Sequence, residues 1–284
     1  MPEGVTEGVP EGVPEGDPTR EMVDIHCHVL PDVDDGAPTM EVALEMLRRG
    51  AEDGTRVAVL TPHIKAGGGQ ELTELHHRRL DELREAAEAA DIGVELHQGA
   101  ELEFRFGLEE VAQWPTVGLA GSQYVLVDLP PGPLSPWLDK ALFALRAAGF
   151  RPILAHPERH RELAMSRSQM EGLRQQDLLF QVTAGSFTGR FGRRAQATAE
   201  MMLGEGWVEF VASDAHNLDK RPFSLRSARA RVEELGGPDQ ARRLFYHNPR
   251  ALIRGEPITV DRPSLSSFEL PAPSGWRRLL QRFF

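Results

Sequence analysis

Histidine, aspartate and glutamate recur in this chain where short apolar runs end. His26 and His28 follow Val23-Asp24-Ile25, and His63 follows Val57-Ala58-Val59-Leu60 across Thr61-Pro62. Glu101 comes after Val94-Glu95-Leu96-His97, Asp128 closes Tyr124-Val125-Leu126-Val127, and His156 closes Pro152-Ile153-Leu154-Ala155. Asp214 and His216 follow the run Val208–Ala212. Alternate residues of an extended chain point to one side, so His-x-His and Asp214-Ala215-His216 each offer a pair of ligands. Imidazole mixed with carboxylate suits manganese, iron or zinc. A thiolate zinc site is excluded, because Cys27 is the single cysteine. Taken one at a time, a strand-end histidine also reads as a packed or hydrogen-bonded residue, and Asp128 as a helix cap. Asp32, Asp34 and Asp35 read either as a solvated turn or as the source of one further ligand. Arg159 and Arg221 lie on the segments that follow His156 and His216. A guanidinium fork fits phosphate oxygens; the plain alternative for each arginine is a surface ion pair.

These residues must be brought together by the elements that carry them. The apolar runs read as seven short strands, the last two being Leu178–Val182 and Val208–Ala212. Helical patterns lie between them: Met40–Arg49 with Gly50 and Gly54 at its end, Glu71–Ala90, Leu138–Ala148, Ser227–Leu235 and Ala241–Tyr246. Strand–helix alternation implies a mainly parallel sheet. Seven units at this spacing predict an α/β fold closed, or nearly closed, as a barrel, with an open doubly wound sheet as the rival. No glycine-rich dinucleotide motif follows the first strand. In a barrel the carboxyl ends of the strands share one face, where active sites form.

The chain has 284 residues, enough for one large core, with 40% apolar and 26% charged residues. A formal charge of -11 argues against a broad nucleic-acid surface, though not against a phosphate substrate held by metals. One cysteine, no apolar run long enough to span a bilayer and no signal sequence make the cytoplasm the default. Residues 1–21 are a Glu/Gly/Pro/Val repeat expected to be a disordered tail. Residues 255–284 read as a Pro/Ser linker followed by the basic, aromatic stretch Trp276–Phe284, which can pack on the barrel or contact a membrane surface or partner.

At these positions the chain resembles the capsule and exopolysaccharide-locus protein-tyrosine phosphatases of the bacterial PHP (polymerase and histidinol phosphatase) superfamily. The matching stretches are Asp24-Ile25-His26-Cys27-His28 with Asp34-Asp35-Gly36, Thr61-Pro62-His63, Gly99-Ala100-Glu101 and Ala155-His156-Pro157-Glu158-Arg159. Thr183-Ala184-Gly185-Ser186, Ala212 to Leu218 and Asn248-Pro249-Arg250 complete them. The resemblance runs from about Met22 to Arg254 and implies a distorted (β/α)7 TIM-like barrel over 22–254, the PHP fold. It implies three divalent metals, manganese first, with iron or zinc as alternatives. One would use His26, His28, Glu101 and Asp214; a second Glu101, Asp128 and His156; a third Asp35, His63 and His216. Arg159 and Arg221 match arginines that hold the substrate phosphate. Asp128 departs from the family pattern, which has glutamate there, one methylene longer. The implied reaction is hydrolysis of phosphotyrosine by a metal-bridging hydroxide, in regulation of polysaccharide synthesis through the tail of a membrane-associated tyrosine kinase. Cys27, on a strand between two ligands and with no phosphate loop, is not expected to be a nucleophile. The rival activities are a phosphoesterase for a small metabolite, such as histidinol phosphate or a nucleotide, which a closed small pocket would favour, and a metal-binding regulator without turnover. Oligomeric state is left open.

Overall fold

Runs of Val, Ile and Leu between polar turns form nine strands among the described residues: β1 Met22–Cys27, β2 Thr55–Leu60, β3 His63–Ile64, β4 Glu95–Gln98, β5 Glu101–Glu103, β6 Tyr124–Asp128, β7 Arg151–Ala155, β8 Leu179–Thr183 and β9 Phe210–Ala212. A computed structural model describes residues 21–65 and 69–258. The repeat at 1–20, residues 66–68 in the glycine loop and the stretch from 259 to the end lie outside the described residues. No described helix is long and apolar enough to cross a membrane.

The strands pair in parallel, in the orders β1-β2-β4 and β3-β5-β6-β7-β8-β9. The seven expected strands are all present, but two are interrupted. Pro62 has no N–H to donate to a ladder, and β2 resumes as β3 beyond it. The third expected strand breaks at Gly99-Ala100 and resumes as β5, with Gly99 N–H donating to Leu60 and Glu101 N–H to Pro62. The first and last strands meet in a parallel bridge between Cys27 and Ala215, where His28 N–H donates to Ala215 and Asp214 N–H to His26, both at 2.8 Å. Buried Asp24 adds a staple there: its Oδ1 accepts from the N–H groups of His26 and Ser213.

Side chains from six strands form one cluster, including Val23 and Ile25, Val57 and Val59, Leu126, Ile153, Leu179 and Phe210. Sharing one cluster among so many strands is feasible only in a barrel interior, which is therefore filled with apolar side chains. The helices cover the outside. Helix Met40–Asp53 starts at Thr39, whose hydroxyl accepts from Val42 N–H, and ends at Gly54 with φ 107°. It runs one turn past the expected Arg49, because Gly50 does not stop it: Gly50 lies under the Phe223 ring, 2.6 Å from where a Cβ would sit. The amphipathic helices Arg167–Gln175 and Gly192–Gly204 join those expected.

The turn after β1 is set by Gly36. Asp34 Oδ1 accepts from Gly36 N–H at 2.9 Å, and Ala37 N–H donates to the His28 carbonyl at 3.0 Å. A Cβ on Gly36 would lie 2.0 Å from that carbonyl oxygen, so no larger residue fits without moving the turn. Gly36→Ala is expected to cost about 1–3 kcal/mol, the usual range for overpacking, and to weaken metal retention because Asp34 and Asp35 ride on the turn. Chemical denaturation with metal analysis checks this; wild-type stability and metal content together would contradict it.

Candidate metal centre

At the carboxyl end of the barrel the ionisable side chains crowd into one site. His26 and His28 are fully buried, with their Nε2 atoms 3.1 Å apart. Glu101 is central: its Oε2 lies 3.4 Å from His26 Nε2, 3.2 Å from His28 Nε2 and 3.1 Å from His63 Nδ1, and its Oε1 is 3.0 Å from His156 Nε2. Asp214 Oδ1 is 3.4 Å from His26 Nε2 and 3.6 Å from His216 Nδ1. Asp35 Oδ1 is 3.3 Å from His63 Nε2 and 3.7 Å from His216 Nε2. Three sets have donor atoms close enough for one ion: His28, Asp35, His63 and His216; His26, His28 and Asp214; His26, Glu101 and His156. The sets overlap more than the partition the resemblance implies, since His28 also reaches toward Asp35 and His26 toward His156. Asp128 joins none of the sets. It is partly exposed, and its one ion-pair approach among the described residues is to His156 Nδ1, at 3.7 Å.

Two neighbours aim the paired histidines. Gln181 Oε1 is 2.8 Å from His26 Nδ1, and Asp34 Oδ2 is 2.7 Å from His28 Nδ1. An acceptor at each Nδ1 holds a proton there, so Nε2 is the nitrogen that would ligate a metal. Asp34 also accepts from His63 N–H, tying that loop to the same point. The backbone contributes too. His156 and Asp214 have φ of 34° and 52°, in the left-handed region that non-glycine residues seldom adopt. Both sit where a strand ends and its side chain turns into the site.

The electrostatics suit a cation. Burial pulls the His28 imidazole down, but hydrogen bonds and charge from Asp34 and Glu101 outweigh it and raise its pKa to about 10. Burial opposes ionisation of Glu101 and Asp214, yet surrounding histidines hold both well below the usual carboxylate range, with Arg159 and Arg221 adding to the effect at Asp214. His216 is held neutral, at about 3, by burial and by the charge of His28. Asp214 Oδ1 and His216 Nε2 are buried with no hydrogen-bond partner. Surplus negative charge and orphaned donor atoms are what divalent ions would satisfy.

Arg159 and Arg221 both pair with Asp214 Oδ2. The Arg159 guanidinium lies over the Phe191 ring, 4.3 Å from its centroid. Gly185 makes room for that ring, since a Cβ there would stand 2.8 Å from it. Buried Glu158 anchors the arginine's loop by accepting from Thr183 N–H at 3.0 Å and from the Ser186 hydroxyl at 2.6 Å. Cys27 points elsewhere. Its thiol is buried, donates to the Val59 carbonyl, and is pushed well above its ordinary pKa by burial, so it is not a thiolate.

Sequence reasoning did not single out Gln181 or assign Asp34 a task. For Gln181 a signal existed: it is the one amide in the apolar run Leu178–Val182, and a polar side chain inside a buried strand needs a partner.

Without metal, a His28 pKa raised from 6.5 to about 10 has a thermodynamic consequence. Between those values the folded state binds a proton that the unfolded state lacks, so its stabilisation is complete below pH 6.5 and fades toward pH 10. The melting temperature of chelator-treated protein is expected to fall from pH 6.5 to 9.5, and added divalent metal to restore it. A flat or rising metal-free profile in thermal circular dichroism would refute this account of the site's charge.

Comparisons with known proteins agree with this geometry. The chain is 30% identical over 264 residues to the tyrosine-protein phosphatase YwqE of Bacillus subtilis, covering 93% of this chain and 100% of that protein. It is 31% identical over 250 residues to the putative tyrosine-protein phosphatase CapC of Staphylococcus aureus, covering 86% and 95%. Among solved structures it matches one described with YwqE from Bacillus subtilis and CpsB from Streptococcus pneumoniae as "unique metal-dependent tyrosine phosphatases", with a TM-score of 0.78 and 29% identity over 84% of this chain and 96% of that one. That likeness identifies the parallel barrel as the PHP, TIM-like fold. The family pattern described as "Capsular polysaccharide synthesis, CpsB/CapC" matches residues 22–254, and the chain belongs to that family.

Proposed function

We propose that this protein is a metal-dependent protein-tyrosine phosphatase that regulates capsule or exopolysaccharide synthesis. One observation carries the reading: two arginines converge on a buried carboxylate whose other oxygen faces the histidine cluster. Such a site pairs cation ligands with fixed phosphate donors. Its relatives are named tyrosine-protein phosphatases. The cavity beside the site, about 960 Å³, is open along one side, which suits a protein-borne phosphotyrosine better than an enclosed metabolite. The expected partner is the tyrosine-phosphorylated tail of a bacterial kinase, in the cytoplasm.

We assign His26, His28, Glu101 and Asp214 to one metal, Glu101, Asp128 and His156 to a second, and Asp35, His63 and His216 to a third, with manganese the first expectation. Asp128 is the weakest of these ligands by position, as its distance from the sets suggests. Bound divalent ions would lower the pKa of water and offset charge developing on the phosphoryl oxygens. The chain's own residues do the rest. Arg159 and Arg221 orient the phosphoryl group and neutralise its oxygens. Phe191 and Glu158 keep Arg159 in place. Gln181 and Asp34 hold the protons of His26 and His28 on Nδ1.

Chelation is expected to abolish hydrolysis of a phosphotyrosine peptide and manganese to restore it; full activity in a verified metal-free sample would reject the reading. Arg159→Ala and Arg221→Ala are each expected to lower kcat/KM about a hundredfold, roughly 2.7 kcal/mol, with metal content kept. His26→Ala and Asp214→Ala are expected to lose metal and activity together. Steady-state kinetics beside metal analysis separates the classes, and an arginine variant with unchanged kinetics would lose its assignment. Cys27→Ser is expected to keep most activity, whereas a loss above about a hundredfold with metals retained would point to a thiol nucleophile.

A further inference from the structure

The large apolar side chains most exposed among the described residues are Phe106, Trp137, Phe143 and Met165, at 76%, 52%, 66% and 63%. Three of them follow strand ends. Phe106 lies in the segment after β5, Trp137 in the segment after β6 and Met165 at the end of the helix after β7, while Phe143 is within the helix Leu138–Ala147. Those segments leave the barrel at the end that carries the metal centre. Phe106 and Trp137 meet edge to face, with ring centroids 6.4 Å apart, and the Lys140 ammonium sits 4.9 Å from the Trp137 ring centroid. Met165 also lines the open cavity, whose inner wall is formed by Asp128, His156 and Arg159 of the site itself. Leu129, Pro131 and Arg161 line it as well. An exposed aromatic pair and an exposed methionine on the segments around a cavity of this kind mark a binding face rather than ordinary surface composition.

Charge narrows the occupant. The chain carries a net charge of -11, and the lining is mixed: Arg159 and Arg161 stand with Asp128 and Glu162, and Arg159 is already paired with Asp214. Arg159 faces the cavity, and Arg161 is exposed in it without an ion-pair partner among the described residues. Glu162, which also lines the cavity, accepts from Leu134 N–H at 3.1 Å and makes no ion pair with Arg161, which leaves Arg161 as the cation open to an acidic side chain.

We infer that the cavity walled by Leu129, Pro131, Arg161 and Met165, with the Phe106–Trp137 ridge, is the docking groove for the polypeptide flanking the phosphotyrosine, and that it selects acidic and apolar flanking residues. This rests on the tyrosine-phosphatase reading and specifies its substrate class. The phosphoryl group lies at Arg159, and the groove is continuous with that point, so an occupant bound there extends the contact made by the phosphate. A free metabolite would gain nothing from the ridge. Arg161 would meet an acidic side chain, and Met165 an apolar one.

The test compares kcat/KM for three substrates on the metal-loaded enzyme: p-nitrophenyl phosphate, a phosphotyrosine peptide with acidic flanks, and the same peptide with lysine flanks. Met165→Glu and Trp137→Ser are expected to lower kcat/KM for the acidic peptide about tenfold, mainly through KM, leaving p-nitrophenyl phosphate within about twofold. Arg161→Glu is expected to reverse the preference between the two peptides. All three positions are exposed, and thermal melting verifies that each variant is folded. Equal losses on peptide and p-nitrophenyl phosphate, or no loss on either, would overturn the groove assignment while the phosphatase reading stands. A wild-type enzyme that hydrolyses p-nitrophenyl phosphate but neither peptide would instead overturn the phosphotyrosine reading, and the groove assignment with it.

Discussion

The burial of Glu101 among four histidines is the constraint on which the rest of this structure depends. His26, His28, His63 and His156 all approach its carboxylate within 3.4 Å, and the carboxylate is 1% exposed. Moving an ion of this size out of water costs several kcal/mol even after relaxation, so the group persists only where nearby charge compensates it. Protons on the histidines compensate only in part. Nε2 of His26 and Nε2 of His28 are 3.1 Å apart, and protons on both would repel across that gap. A divalent cation resolves the conflict, because it draws the imidazole lone pairs and the carboxylates to the same point. The protein has in effect built a concentrated negative cage and left its neutralisation to an ion.

Only a parallel barrel assembles such a cage from residues so far apart in sequence. Every strand presents its carboxyl end to one face, and the filled interior below keeps those ends from sliding. Closure falls at the site itself, where Asp24 and the bridge between Cys27 and Ala215 join the first strand to the last. The left-handed backbone at His156 and Asp214 is the local cost of turning side chains inward at a strand end, of order 1 kcal/mol or more each.

Much of this was legible in the sequence because the chemistry is periodic. His26 and His28, and Asp214 and His216, carry the two-residue spacing of extended chain, and His63, Glu101, Asp128 and His156 each follow an apolar run. The strand breaks at Thr61-Pro62 and Gly99-Ala100 were less legible, since a run of apolar residues shows where a strand lies but not where its ladder pauses. Gln181 was hidden for a different reason. Its task, accepting from His26 Nδ1, depends on a residue 155 positions away, and no local pattern encodes that partner. Asp128 was legible as a strand-end acid, but its place outside the three sets was not, since that distance is fixed only in the folded site.

Asp214 shows how the two halves of the site are coupled. Its Oδ1 faces the histidines, while its Oδ2 is held by Arg159 and Arg221. The same carboxylate thus keeps the arginines beside the metal ligands and keeps their charge from being stranded in a partly buried place. Arg159 needs more than that one bond, because a guanidinium held at a single point can still rotate. Phe191 under its face removes that freedom, and Gly185 permits the ring to sit there. A lysine in the same place would keep the charge but lose the planar stack and the fixed fork. In the proposed phosphate-holding role, arginine at 159 is favoured by geometry as much as by sign, because stacking on the ring sets the donor's direction before phosphate arrives.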